Sequence, residues 1–179
     1  MKNLTIDSQT TFFLAALLFV ALSLILALIA AKRRSGAVAL WCMGSLFAAL
    51  GIVLVGLHPW IPSWLSFPSA STSLLTAHLL WAQSLLVLHG RPWPMRSIII
   101  GIALFALFYS VLYSGFQPKV SGIAVRAVLG FLSLLVALQA RRLAHTLHSH
   151  NATAISVSYF IMGIGLCGQA LFFGFGGAD

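Results

Sequence analysis

Apolar runs of about twenty residues recur along the whole chain, and none of them contains an acidic side chain. Each run is long enough to cross a bilayer core of about 30 Å, because a helix rises 1.5 Å per residue. The 179 residues are 60% apolar and 7% charged, where a soluble domain has roughly 25% charged residues. A water-soluble globule, a disordered tail and a disulfide-stapled secreted scaffold are therefore excluded. Six such runs with short loops fill the chain and leave no room for a soluble domain. The expected fold class is all-α, a polytopic membrane helix bundle of six transmembrane helices in a single membrane domain.

The spans are expected near 11–31, 38–57, 71–88, 97–113, 120–140 and 152–173. Pro and Gly cluster at the junctions, as in His58-Pro59-Trp60-Ile61-Pro62 and His89-Gly90-Arg91-Pro92-Trp93-Pro94, where helices end most cheaply. The first run is followed by Lys32-Arg33-Arg34. A signal peptide would instead carry its cations before a shorter apolar core, so an uncleaved helix is expected. Cations on alternate sides of the bundle set the orientation. Lys32, Arg33, Arg34, Arg91, Arg96, Arg141 and Arg142 share one side, whereas Lys2 and Lys119 share the other. The bias predicts an N-terminus outside and cytoplasmic loops after spans one, three and five. Trp41 and Trp93 fall near the inner interface and Trp60 and Trp64 near the outer one, as in an aromatic belt. The bilayer is thus the first expected partner. Nucleic acid is not one, because the cations are spread through loops rather than gathered on one accessible face.

The two acidic residues, Asp7 and Asp179, lie near the termini. Paired-carboxylate catalysis, a carboxylate proton relay and carboxylate-bound metal therefore have no residues to use within the spans. Cys42 and Cys167 fall mid-span and read as small apolar fillers. Gly163-Ile164-Gly165-Leu166-Cys167-Gly168 is formally a G-x-G-x-x-G. It lacks the preceding strand and the later acid of a dinucleotide site, so close helix packing is its expected role, as for Gly44 and Ala48. Tyr113-Ser114-Gly115 has part of the look of a rhomboid-type serine protease. Leu112 stands where that motif has glycine, and span six offers no histidine as base. No catalytic constellation remains, so the chain is not expected to be an enzyme, nor to carry a cofactor. His58 and His78 could ligate haem only from facing helices, which the sequence does not establish. His145, His148 and His150 are the metal candidates, although Arg141 and Arg142 beside them disfavour a cation and the expectation is no metal.

Arg126 is the candidate of most interest, because a cation within a span is costly and normally finds a polar setting. The expected ligand-binding set is Arg126 with His78, Tyr109, Gln169 and, at the rim, His58. Convergence of these residues would make an outward-facing pocket for a small polar or anionic periplasmic ligand. Snorkelling of Arg126 to head groups is the alternative.

Trp41-x-x-Gly44, Leu50-Gly51, Leu54, Pro62, Leu65-Ser66 and Gly90-Arg91-Pro92 resemble the N-terminal multi-span sensor module of bacterial GGDEF-type diguanylate cyclases. Phe108, Tyr109, Pro118 and Arg126 extend that resemblance over residues 10–175. It implies a bacterial inner-membrane protein with a periplasmic N-terminus, and proteins of that type often continue into a seventh span and a cytoplasmic cyclase domain. The chain itself contains no Gly-Gly-acidic-Glu-Phe run, so it resembles such a module cut before its output, or a stand-alone relative of one. Expected on this basis is a sensory or anchoring module that regulates a cyclase output absent from the chain and pairs as a homodimer. An accessory integral-membrane subunit of a larger complex is the alternative. A small-solute transporter ranks lower, for want of intramembrane carboxylates and an inverted repeat.

Overall fold

The computed structural model of the protein describes residues 8–33, 35–115 and 118–175. Over these residues it is a bundle of six helices without a strand: α1 (Ser8–Arg33), α2 (Gly36–Gly56), α3 (Ser63–Leu88), α4 (Met95–Gly115), α5 (Pro118–Leu147) and α6 (His150–Phe175). Among the described residues five segments are long and apolar enough to cross a membrane: Gly36–Gly56, Ser63–Leu88, Met95–Gly115, Val120–Thr146 and His150–Phe172. Phe13–Ile25 within α1 is apolar as well. Large aliphatic and aromatic side chains such as Leu18, Leu28, Leu107 and Phe172 stand exposed on the outside, a surface suited to lipid rather than water.

The connections are short, so consecutive helices run antiparallel. Between α2 and α3 two serines mark the pairing. The Ser84 hydroxyl donates to the Ala37 carbonyl at one end (2.7 Å), and the Ser66 hydroxyl donates to that of Leu54 at the other (2.5 Å). Glycine allows the close approach between them. A Cβ on Gly44 would lie 2.8 Å from the Trp81 ring, and one on Gly51 would lie 2.8 Å from Leu74. With buried Ala48, these residues form a small-residue stripe against which α3 packs.

The α5–α6 pair uses the same device. A Cβ on Gly130 would fall 2.6 Å from the Cys167 sulfur, and one on Gly163 would fall 2.8 Å from Leu134. Gly165 and Gly168 face open space. The G-x-G-x-x-G run thus packs through Gly163 and Cys167. Both cysteines are free.

α3 is the centre of the bundle, packed against α2, α4 and α5. It starts at Ser63, well before the apolar run beginning at Ser71, and carries Pro68 in its second turn. Proline there forgoes a single intrahelical hydrogen bond near the helix start. At the other end Gly90 adopts φ +69°, while the Gly90 and Arg91 N–H groups return to Val87 and Leu86. This is a Schellman closure, which needs a left-handed residue. Buried Gln83 then pins the following loop, its amide nitrogen donating to the Trp93 carbonyl and its oxygen accepting from the Trp93 N–H. Arg91, Arg96, Arg141 and Arg142 lie where α3 and α5 end and α4 begins. We refer to this as the basic end.

Candidate functional site

At the end opposite the basic one, α2, α3, α4 and α5 enclose an open cavity of about 580 Å³. Its polar lining comes from Ser71 of α3, Tyr109 and Tyr113 of α4, and Ser121 and Arg126 of α5. Ser121 and Arg126, five residues apart on α5, both line it. Gly122, one turn before Arg126, supplies the space for its side chain. A Cβ on Gly122 would stand 3.1 Å from Nη1 of Arg126. Arg126 therefore folds back along α5 toward the near end of the bundle and lines the cavity as it does so, half-buried. Side chains on a helix lean toward its N-terminus, and here that lean follows the direction of snorkelling.

Aromatic rings line the approach in a row. His58 lies 5.7 Å from Phe67, Phe67 lies 6.1 Å from Tyr113, and Tyr113 lies 6.2 Å from Tyr109. Tyr109 in turn stacks on Phe105 at 5.8 Å, with the planes 1° apart. His58 is exposed at the rim, its ring nitrogen 3.2 Å from the Val55 carbonyl. The row runs from an exposed imidazole to buried Tyr109. Such a cavity offers one fixed positive charge, hydroxyls and apolar ring faces, features suited to a small polar or anionic molecule with an apolar part.

The other candidate residues lie elsewhere. His78 is buried nearer the middle of the bundle, where its Nδ1 donates to the Leu74 carbonyl (2.8 Å) and its Nε2 meets the Ser133 hydroxyl at 3.1 Å. Ser133 also reaches the Leu129 carbonyl at 2.8 Å. One hydroxyl proton is therefore shared between two acceptors when the imidazole is neutral. Ser133 follows Arg126 by one heptad on α5, which puts His78 about 10 Å deeper than Arg126 along the helix axis. His78 belongs to an aromatic node instead. Trp81 lies 5.3 Å from it, Tyr159 lies 6.4 Å from it, and Phe19 and Trp41 pack on Trp81. Gln169 is exposed on α6, a helix that packs against α5 and contributes no residue to the cavity lining.

Among the described residues no group of three His, Cys, Asp or Glu could hold a metal ion. His145, His148 and His150 are all exposed. His148 has φ +48°, and the N–H of Ser149 returns to the Ala144 carbonyl. It is thus the left-handed residue closing α5, a place usually given to glycine.

Sequence reasoning missed Ser71, Tyr113 and Ser121. The spacing of Tyr109 to Tyr113, one turn apart on an otherwise apolar helix, was the available signal. No known family model, curated protein or solved structure matches the chain.

Proposed function

We propose that the chain is the sensory or anchoring part of a membrane signalling protein, and that the Arg126 cavity receives its ligand. On this reading six helices cross a bacterial inner membrane, the N-terminus is periplasmic and the basic end is cytoplasmic. The cation bias along the sequence supports that orientation. The Arg126 cavity then faces the periplasm. A small polar or anionic molecule bound there contacts α3, α4 and α5 together. It biases the output only by fitting one arrangement of those helices better than another. The resemblance to sensor modules of diguanylate cyclases points to a cytoplasmic cyclase as that output, with dimerisation bringing two such domains together.

The observation that carries this reading is the meeting of Arg126 with Tyr109, Tyr113, Ser71 and Ser121 around one opening. Its test is a thermal-shift screen of the full chain in nanodiscs against small carboxylates, phosphates and amino acids. A stabilising compound whose effect disappears in Arg126→Gln supports the proposal. If Arg126→Gln responds to every compound as wild type does, the cavity is not the sensor. Reading the gene beyond the codon for Asp179 tests the output separately, since the proposal requires a further span and a cyclase domain there.

The second reading, an accessory subunit of a larger complex, draws on the exposure of α4, whose buried residues are Ile98 and Tyr109 alone. Stoichiometric co-purifying partners would favour it.

A further inference from the structure

A second cavity, of about 370 Å³, opens between α5 and α6 at the basic end. Arg141 and His145, one turn apart on α5, line its mouth, and Leu138, Val157 and Phe160 line its deeper part. Leu138, Val157 and Phe160 are themselves more than half exposed on the bundle, so the groove is open sideways as well as at the end. We propose that this groove is a binding site for an anionic phospholipid, its phosphate held at Arg141 and His145 and an acyl chain lying along Leu138, Val157 and Phe160.

Three observations point to that occupant. First, the chain has ten Lys and Arg against two acids, and both acids lie outside the described residues. Among those residues no carboxylate competes for exposed Arg141, which leaves its guanidinium open to an anion from outside the chain. Second, the nearby hydroxyls are already committed as donors. Thr153 donates to the Ser149 carbonyl (3.2 Å) and Ser156 to the Ala137 carbonyl (2.9 Å). Arg141 and His145 are therefore the free-reaching donors at the mouth, assisted by the adjacent start of α6, where the helix dipole favours negative charge. Third, the site is amphipathic along its length. A free phosphate would use the mouth and leave the apolar part unfilled, whereas a lipid satisfies both. The depth also suits a lipid: Arg141 and His145 lie in the last two turns of α5, where side chains meet head groups.

The test uses the full chain purified in detergent, with phosphatidylglycerol and phosphatidylcholine of identical acyl chains supplied in turn and retention read by native mass spectrometry. Phosphatidylglycerol is expected to be retained preferentially. Arg141→Gln should lower that retention about fivefold, the effect of one basic residue at an anionic surface. Arg142→Gln should leave it unchanged, because Arg142, next along the chain, does not line the groove. His145→Gln gives the same reading if Arg141→Gln fails to fold. Equal retention of the two lipids, or an equal loss in Arg142→Gln, overturns the proposal. Displacement of phosphatidylglycerol by millimolar inorganic phosphate also overturns it, in favour of an anion site alone. None of these outcomes involves the Arg126 cavity, so failure here leaves the sensory reading untouched.

Discussion

α3 and α4 invert the rule by which soluble helices are sorted. α3 is the least apolar of the five long apolar helices, yet most of its length is buried, whereas the more apolar α4 is mostly exposed. α3 buries Ser66, Ser71, Ser73, Thr76, His78, Gln83 and Ser84, and Pro68 as well. α4 exposes Ile99, Ile100, Leu104, Leu107, Phe108 and Val111. Where the surroundings are hydrocarbon, burying Leu or Ile gains little, because lipid tails are as apolar as they are. Helices associate instead through close packing at small residues and through hydrogen bonds between polar side chains. The central helix is therefore the one with serine, histidine and glutamine, and the peripheral helix is the greasy one.

The strongest way to break this contrast is to fill a glycine on each side of it. Gly44 of α2 lies against Trp81, whereas Gly101 of α4 has nothing near the position of its missing Cβ. Gly44→Leu must displace a buried indole and should cost about 3 kcal/mol. Gly101→Leu should stay within about 0.5 kcal/mol of wild type, since nothing must move. Unfolding from mixed micelles, followed by helix content, separates the two. A comparable loss in both variants would mean that α4 is packed on the side that now stands open.

A smaller effect is expected for the hydrogen bond between α3 and α5. A double-mutant cycle of His78→Leu and Ser133→Ala should give a coupling between zero and about 1.7 kcal/mol, about 0.6 kcal/mol being the average for interhelical bonds in membranes. Each side chain also has a backbone carbonyl within reach, Leu74 for His78 and Leu129 for Ser133, which argues for the lower half of that range. Zero coupling would leave the serine bonds to α2 and small-residue packing as the basis for α3 being central.

The same inversion explains what was and was not legible in the sequence. Helix existence follows from the apolar runs, and the packing roles of Gly44, Ala48 and Gly163 follow from small residues at helical spacing. Arg126 and Tyr109, grouped by depth in the sequence, line one cavity. Rotation was not readable, because a span apolar on every side carries no stripe to mark its inner face. Depth along the span groups Gln169 with Arg126, whereas α6 presents it outward. The depth of His78 was misjudged for a different reason. The third apolar run begins at Ser71, only seven residues before His78, whereas the helix begins at Ser63. Helix from Ser63 onward moves His78 to the middle of the bundle beside Ser133. Tyr113 and Ser121 join Arg126 only because α4 and α5 meet at that end, a fact of tertiary packing.

The smallest predicted effect is the most informative about partners. Leu104 and Leu107 lie one turn apart on the outside of α4, 61% and 65% exposed. If lipid covers them, Leu104→Ala with Leu107→Ala should change stability by no more than about 0.5 kcal/mol, because lipid fills the space each truncation leaves. It should also leave the oligomeric state in nanodiscs unchanged. A loss of ~2 kcal/mol or more, or a shift toward monomer, would show that protein rather than lipid covers α4. α4 would then be an interface, and its low burial would describe one subunit of an assembly. Mass photometry of the double variant beside wild type makes that distinction. A protein-covered α4 would favour either the homodimer required by the sensory reading or the partner required by the subunit reading, and the mass of the assembly tells one from the other.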